Sequence, residues 1–459
     1  MNIEEFNAGA DARAEEASAD AHIRLEQERL VAEAVADGRK LVTVRTIDAI
    51  DDIPGADLIK VATVEGWKVV VKHDEFEVGD LCVFFEVDSY LPLSDERYAF
   101  LEKNAIFWHG IKGARLKTIR LRKQLSQGLA LPLHDFPEIQ AKIQATMDAS
   151  GMTDLSDGAA WIRELNFTGT IGVMKWEKVM SAQLAGQAKG NFPSFLRKSD
   201  QERAQNMSRE IFGYEDMLMP FDITNIPAEA LAAMQEKGDV VVTNNMMLMG
   251  VGGPQWYRVR KAQASRDTRY EVSLKMDGSS MTAYVQLLNE VPFEVKGVCS
   301  RNLDLKIESN ETNSFIKMAH PDILELIAEQ GGDIALQGEL MGPGIQGNRE
   351  GFEYDRFFIY NIFDIKSGEF MTPPERLEWV RNANQVAKQL FGRELLEHVP
   401  VLHESVTLAE LGITNMDELL KFAEGPSMVH MVREGLVFKA VDGTHQFKVI
   451  SNKFLEKEE

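Results

Sequence analysis

From Tyr270 to Ile450 the chain repeats one pattern, a short apolar or aromatic run that stops at, or opens on, a polar or charged residue. Tyr270-Glu271-Val272-Ser273-Leu274 ends at Lys275, and the tight turn Asp277-Gly278 follows. Ile334-Ala335-Leu336-Gln337-Gly338 ends at Glu339, and the aromatic-rich run Phe357–Ile365 carries Phe363-Asp364-Ile365. Glu434 opens Gly435-Leu436-Val437-Phe438-Lys439, and Gln446-Phe447-Lys448-Val449-Ile450 closes the series. Runs this short, bounded by turn residues, read as strands.

Lys275 stands where a strand gives way to a turn, a position that presents an amine at the floor of a pocket. A lysine attacks only when neutral, and partial burial or a nearby cation lowers its pKa. The bland alternative is a solvated lysine beside an ordinary Asp-Gly turn. A Lys-x-Asp-Gly string arises by chance in roughly one chain in ten of this length, so the signal lies in the ordered set that follows it.

That set is Lys275-Met276-Asp277-Gly278, Ser300-Arg301-Asn302, Glu339, Phe363-Asp364-Ile365, Glu434 and Lys448. In this order it resembles the covalent nucleotidyltransferases, the ATP-dependent RNA and DNA ligases and capping enzymes, from about residue 190 onward. Gly338-Glu339-Leu340-Met341-Gly342-Pro343-Gly344-Ile345-Gln346 is similar to the RNA ligases that seal nicked duplexes. After the run that carries Lys448 only Ser451–Glu459 remains, too little for the C-terminal OB domain of DNA ligases and capping enzymes. The resemblance implies an α+β chain, with a C-terminal nucleotidyltransferase (ATP-grasp-like ligase) domain of antiparallel sheets and flanking helices. It implies ATP and Mg²⁺, Lys275 as nucleophile, and Asp277, Arg301, Glu339, Phe363, Glu434 and Lys448 at the nucleotide. Glu339 and Glu434 would hold metal, Phe363 would stack on adenine, and Lys439 and Lys453 are further cations within reach. Leu274 stands where relatives carry glutamate, Ser280 where some carry asparagine, and Ile450 where many carry a second lysine.

Upstream, Leu41–Val44, Ile59–Val64, Trp67–Val71, Leu81–Phe85, Arg115–Arg122 and Leu129–Pro132 form a second series with turn signals at Pro54-Gly55, Glu65-Gly66 and Gly79-Asp80. Strands at this spacing make a small barrel, and an all-β OB-like barrel is favoured. Such a barrel ahead of a nucleotidyltransferase resembles the bacterial Deinococcus-type RNA ligases, as do Gln127-Gly128-Leu129 and Arg197–Asn206. Residues 1–39 read as an acidic helical or disordered extension, 40–180 as the barrel with a helical insertion at about 137–160, and 190–459 as the ligase domain. Ser181–Pro193 reads as a linker and 375–432 as a mainly helical insertion.

The net charge of −22 over 459 residues disfavours non-specific polyanion binding, so any contact with RNA needs a local basic patch. Lys112 to Lys123 supplies one, with no acid in it. Alternation would put Arg115, Lys117, Arg120 and Arg122 along RNA phosphates; a merely solvated strand face is the alternative. Cys82 and Cys299 read as reduced core residues of a cytoplasmic protein. No run reaches the ~20 apolar residues of a membrane span, and no signal peptide opens the chain. Gly342–Gly347 matches a dinucleotide fingerprint, but it leads to another strand instead of opening a helix.

The expected activity is joining RNA 3′-hydroxyl and 5′-phosphate ends, with a nicked duplex as substrate and RNA repair as the setting. DNA ligation, capping, or a non-catalytic RNA-binding adaptor are the alternatives. The Lys275 nucleophile and both carboxylates argue against the last.

Overall fold

The computed structural model describes residues 21–150, 162–177, 186–212, 214–220, 227, 229, 240–243, 256–262, 267–288, 293–308 and 313–455. The chain divides into two compact units, Met1–Lys178 with Tyr214–Gln263, and Val179–Gly213 with Ala264–Glu459. Among the described residues, no helix is long and apolar enough to cross a membrane.

The first unit is built on a curled five-stranded sheet in the order Leu129–Pro132, Leu81–Phe85, Val42–Asp52, Ile59–Val64, Trp67–Lys72. Val42–Asp52 is long enough to serve both halves: Val42 to Thr46 pair with Leu81–Phe85, and Ile47 to Asp52 with Ile59–Val64. A register break between Ile47 and Ala49 marks the second half, and such a bulge bends the strand and lets the sheet curl. Val42, Val44, Val83 and Phe85 face one core, and Ile47, Val69, Cys82 and Phe84 another. The sheet is therefore buried on both sides, as the unbroken apolar run Leu81–Phe85 demands. Cys82 and Cys299 are free and buried.

One expectation is sharpened here and another changes. Residues 21–36 form a helix that is mostly exposed, yet Leu30 and Ala34, one turn apart, are buried in the cores. So narrow a stripe is hard to see among alanines. Arg115–Arg122 is not one strand: Ile111–Arg115 ends, and a separate hairpin, Ile119–Leu121 with Gln124–Ser126, begins. The helical insertion is present as Pro137–Ser150; its remainder to residue 160 lies outside the described residues.

In the second unit two sheets carry the motifs. The larger runs Ala188–Asn191, Leu303–Leu305, Phe293–Cys299, Ser279–Leu288, Ile334–Met341, Arg356–Asp364, Glu369–Phe370. Ala188–Asn191, expected within the linker, is thus an edge strand. The smaller runs Glu202–Arg203, Gln446–Ile450, Gly435–Ala440, Tyr270–Lys275, Val401–Val406. The 375–432 segment supplies the helices Pro373–Phe391 and Met416–Phe422, but also the last of these strands.

Each sheet has one apolar and one polar face. In the smaller, Val272, Leu274, Leu436, Phe438, Phe447 and Val449 enter one core. The alternate residues Glu271, Ser273 and Lys275 lie opposite Lys439, Val437 and Gly435, and Val437 opposite Lys448, so these share the other face. In the larger, Met281, Ala283, Leu336, Leu340 and Ile359 are core, while Ser280 and Thr282 lie opposite Glu339 and Gln337 on the polar face. A buried bridge joins the polar faces: Lys439 on the smaller sheet donates to Tyr360 O and to Asn361 Oδ1 of the larger.

Candidate active site

Lys275 is the last residue of its strand, and the next strand, Ser279–Leu288, belongs to the other sheet. Met276-Asp277-Gly278 is therefore the crossover between sheets, and the lysine sits at the joint. Gly278 is required there. A Cβ on it would lie 2.5 Å from Leu340 O and 2.9 Å from Glu339 Cγ, closer than any side chain tolerates. The approach is close because the Gly278 N–H donates to Glu339 Oε1 at 3.1 Å. Glu434 precedes Gly435, the residue paired with Lys275, and its Oε1 lies 2.6 Å from Lys275 Nζ. Strand pairing alone thus brings a lysine and two carboxylates to one place.

The electrostatics differ from the sequence expectation. Burial lowers the Lys275 pKa, but Glu434, Glu339 and Asp277 together outweigh it and hold the amine above its ordinary value. The resting lysine is an ammonium, parked on Glu434. Glu339 is pushed up to about 7, chiefly by burial and then by Glu434, against the pull of Lys275. Glu434 Oε2 is buried and has no hydrogen-bond partner. An orphaned carboxylate oxygen beside a second buried carboxyl is a site that suits a hard divalent cation. Among the described residues no group of three His, Cys, Asp or Glu side chains is placed to hold a metal ion by itself. The chain would then give one or two ligands, leaving the rest to phosphate and water, as Mg²⁺ prefers.

Glu339 leads to a prediction about stability. Its folded pKa stands above the unfolded one, so the stability it contributes is fully present below about 4.3 and lost as pH rises through about 7. At pH 8 the ionised group costs up to about 4 kcal/mol. Glu339→Gln, which still accepts from Gly278, should raise Tm by several degrees at pH 8 and hardly at pH 4.5. Equal shifts at both pH values would contradict the assigned cause.

The other expected residues differ in how far they are free to meet a nucleotide. Asp277 lies 3.5 Å from Arg349 Nε, and Arg301 makes an exposed ion pair with Asp200 at 3.2 Å. Lys448 shares the polar face of Lys275. Lys439 and Lys453 are committed elsewhere. Lys439 is buried in its interior bridge, its pKa well below normal through burial and the neighbouring Arg376; Lys453 pairs with Glu424 at 2.6 Å. Phe363 lies on the same face as Gln337 by register, but it is only 3 % exposed, packed with Leu196 and Ala335 and edge-on to Phe370. Its ring has no open side for adenine in this structure.

Three residues escaped the sequence reading. Tyr360 reaches Ser280 Oγ through its hydroxyl at 3.1 Å, and burial, then the neighbouring Glu339, hold that hydroxyl's pKa above its ordinary value. A register shift between Gln337 and Gly338 leaves Tyr360 without a partner in the pairing. A bulge cannot be read from aromatic-rich sequence. Asn361 donates to Ser199 Oγ at 2.5 Å and Gln337 to Arg197 O at 2.8 Å, so the Arg197–Gln201 segment lies across the polar face.

In the first unit the basic patch is only partly available. Arg115 donates to Asp88 at 2.7 Å and lies 3.7 Å over the Trp176 ring, so it is a packing residue. Lys117, Arg122 and Lys123 are exposed and Arg120 is half-buried. Arg122 and Lys123 form the hairpin turn, both with positive φ, at 52° and 70°. Asn or Gly normally fills such positions, so two cations are displayed there at a conformational cost.

A lysine at a sheet joint, between carboxylates and above a polar floor, is built for covalent nucleotidyl transfer. An RNA ligase family model matches residues 268–454, and an OB-fold domain model matches residues 41–133. Solved structures of the Naegleria gruberi RNA ligase are similar to the chain. An apo variant is 32 % identical with a TM-score of 0.66, covering 92 % of this chain and 98 % of that one. The ligase with PPi is 33 % identical with a TM-score of 0.67, covering 92 % and 99 %. A variant with AMP and Mn is 33 % identical with a TM-score of 0.66 and the same coverage. No curated protein matches. The chain belongs to the RNA ligase family.

Proposed function

We propose that the protein is an ATP-dependent RNA ligase that joins 3′-hydroxyl and 5′-phosphate ends through lysyl-AMP on Lys275. The observation that carries this is Lys275 Nζ held 2.6 Å from Glu434 Oε1 at the joint of two polar sheet faces. The Naegleria relatives solved with ATP and Mn support the nucleotide and the divalent cation.

In the first step Lys275 Nζ loses its proton and attacks the α-phosphate; the N–P bond forms as the bond to pyrophosphate breaks. Glu434 is the nearest acceptor for that proton and holds the amine in place until ATP arrives. AMP then passes to the RNA 5′-phosphate, and the 3′-hydroxyl displaces it. Glu434 and Glu339 would hold the cation, which neutralises charge on the phosphates. Lys448 and Arg301 add fixed positive charge, the main need of phosphoryl transfer.

The substrate is a nicked duplex and the setting cytoplasmic RNA repair; the buried free thiols fit a reducing compartment. Sealing should be compared on nicked duplex RNA, single-stranded RNA and nicked DNA, each with a labelled 5′-phosphate. The RNA nick should be sealed fastest. Sealing of DNA alone, or of none, would overturn the reading.

The hairpin is proposed as the part of the barrel that meets RNA phosphates. Substituting Lys117, Arg120, Arg122 and Lys123 by glutamine should leave lysyl-AMP formation intact and weaken RNA binding. The slope of log affinity against log salt should fall by about 0.7–0.9 for each phosphate no longer neutralised. Unchanged binding across a salt series by a folded variant would make the patch a solvated face. Arg115, bound to Asp88, is left out of that variant and belongs to the packing instead.

A further inference from the structure

The loop Gly425–Arg433 runs straight into Glu434, and its base and its middle are fixed by buried charged residues. Arg433, 8 % exposed, donates to three carbonyls of the preceding turn, Ala423 O at 2.9 Å, Phe422 O at 2.6 Å and Glu424 O at 2.8 Å. Glu350, 5 % exposed, accepts the backbone N–H of Val429 at 2.7 Å and of His430 at 3.0 Å. Glu350 comes from the glycine-rich segment after Glu339, which turns through left-handed residues at Gly344, Gln346, Gly347, Asn348 and Gly351. This explains the decoy fingerprint: the segment folds back to clamp the loop.

What the clamp displays is apolar. Val429 is 68 % exposed, Met431 79 % and Met428 37 %. A loop held this firmly has no need to leave three apolar side chains in water, and from Gly425 to Val432 it carries no Asp, Glu, Lys or Arg. A charge-free apolar surface suits the faces of bases better than the phosphates between them. It is also within reach of the chemistry. Val429 is five residues before Glu434, at most about 18 Å of extended chain from it.

We propose that Met428, Val429 and Met431 form a platform on which a nucleobase beside the RNA end packs. The proposal rests on the RNA-ligase reading above. Covering roughly 60 Å² of the platform's apolar surface with the face of a base is worth about tenfold in affinity.

The test uses the full chain with Met428, Val429 and Met431 replaced by serine, and a nicked RNA duplex carrying 2-aminopurine beside the nick. Lysyl-AMP formation from ATP is the folding control, since none of the three is among the groups that act on Lys275. Expected is a KM for the nick raised about tenfold, little change in kcat, and loss of the 2-aminopurine fluorescence change that wild type gives on binding. A KM within about twofold and an unchanged fluorescence response would overturn the platform while leaving the ligase reading intact. A wild-type dimer that the substitutions turn into a monomer with unchanged KM would overturn it too, making the surface a self-association site. Wild type that forms lysyl-AMP but seals no RNA would end both.

Discussion

Lys275→Ala should form no lysyl-AMP, so α-labelled ATP should leave no label on the protein. The loss should exceed about 10⁴-fold, since a nucleophile has no substitute once its amine is gone. Two other lysines near the site are unsuited: Lys439 is locked in the interior bridge and Lys453 is paired with Glu424. Lys275→Arg should fail equally, because a guanidinium does not deprotonate. Pre-adenylylated RNA bypasses the first step, so Lys275→Ala should still seal it. This separates loss of the nucleophile from loss of the fold. Lysyl-AMP formed by Lys275→Ala would sink the assignment.

Glu434→Ala should be nearly as damaging, and in both steps. It removes the group that holds the lysine at 2.6 Å and the orphaned oxygen offered to a cation. Removing one such electrostatic group typically costs about 10²–10³-fold in rate, and we expect about that in adenylylation and in sealing of pre-adenylylated RNA. The conservative change Glu434→Gln has an opposite signature on the lysine. Glu434 is the largest influence raising the Lys275 pKa, so the apo variant should titrate lower than wild type, read by NMR of isotopically methylated lysine. In wild type the amine must lose a proton held above its ordinary pKa, and Glu339 becomes charged only above about 7. Both effects make adenylylation rise with pH from below to above the Glu339 pKa of about 7. A rate that falls over that range, or sealing by Glu434→Ala at the wild-type rate, would contradict these roles.

The strands bearing the chemistry were legible because each is short, apolar on alternate residues and ended by a charge. Lys275, Glu339 and Glu434 follow from register once the strands pair. Less legible was what depends on tertiary neighbours. The lysine was expected to be made neutral by burial, whereas three carboxylates outweigh burial; only their convergence reveals it. Arg115 reads as one more cation in a basic run, but Asp88 and Trp176, 27 residues upstream and 61 downstream, claim it. Phe363 carries a motif yet is covered by Leu196, from a segment more than 160 residues earlier. Tyr360 depends on a bulge. Long-range pairing of this kind leaves no periodic trace in the sequence.

The central claim is that AMP is carried on Lys275 on its way from ATP to RNA. The protein should be incubated with α-labelled ATP and, separately, α-labelled GTP, each with Mg²⁺. The adduct should then be mapped by peptide mass spectrometry and chased with nicked RNA. The account predicts labelling by ATP, one adduct on the peptide containing Lys275, and passage of that label to the RNA 5′-phosphate before sealing. Labelling by GTP alone, an adduct on Lys439 or Lys448, or label that never leaves for RNA would contradict it.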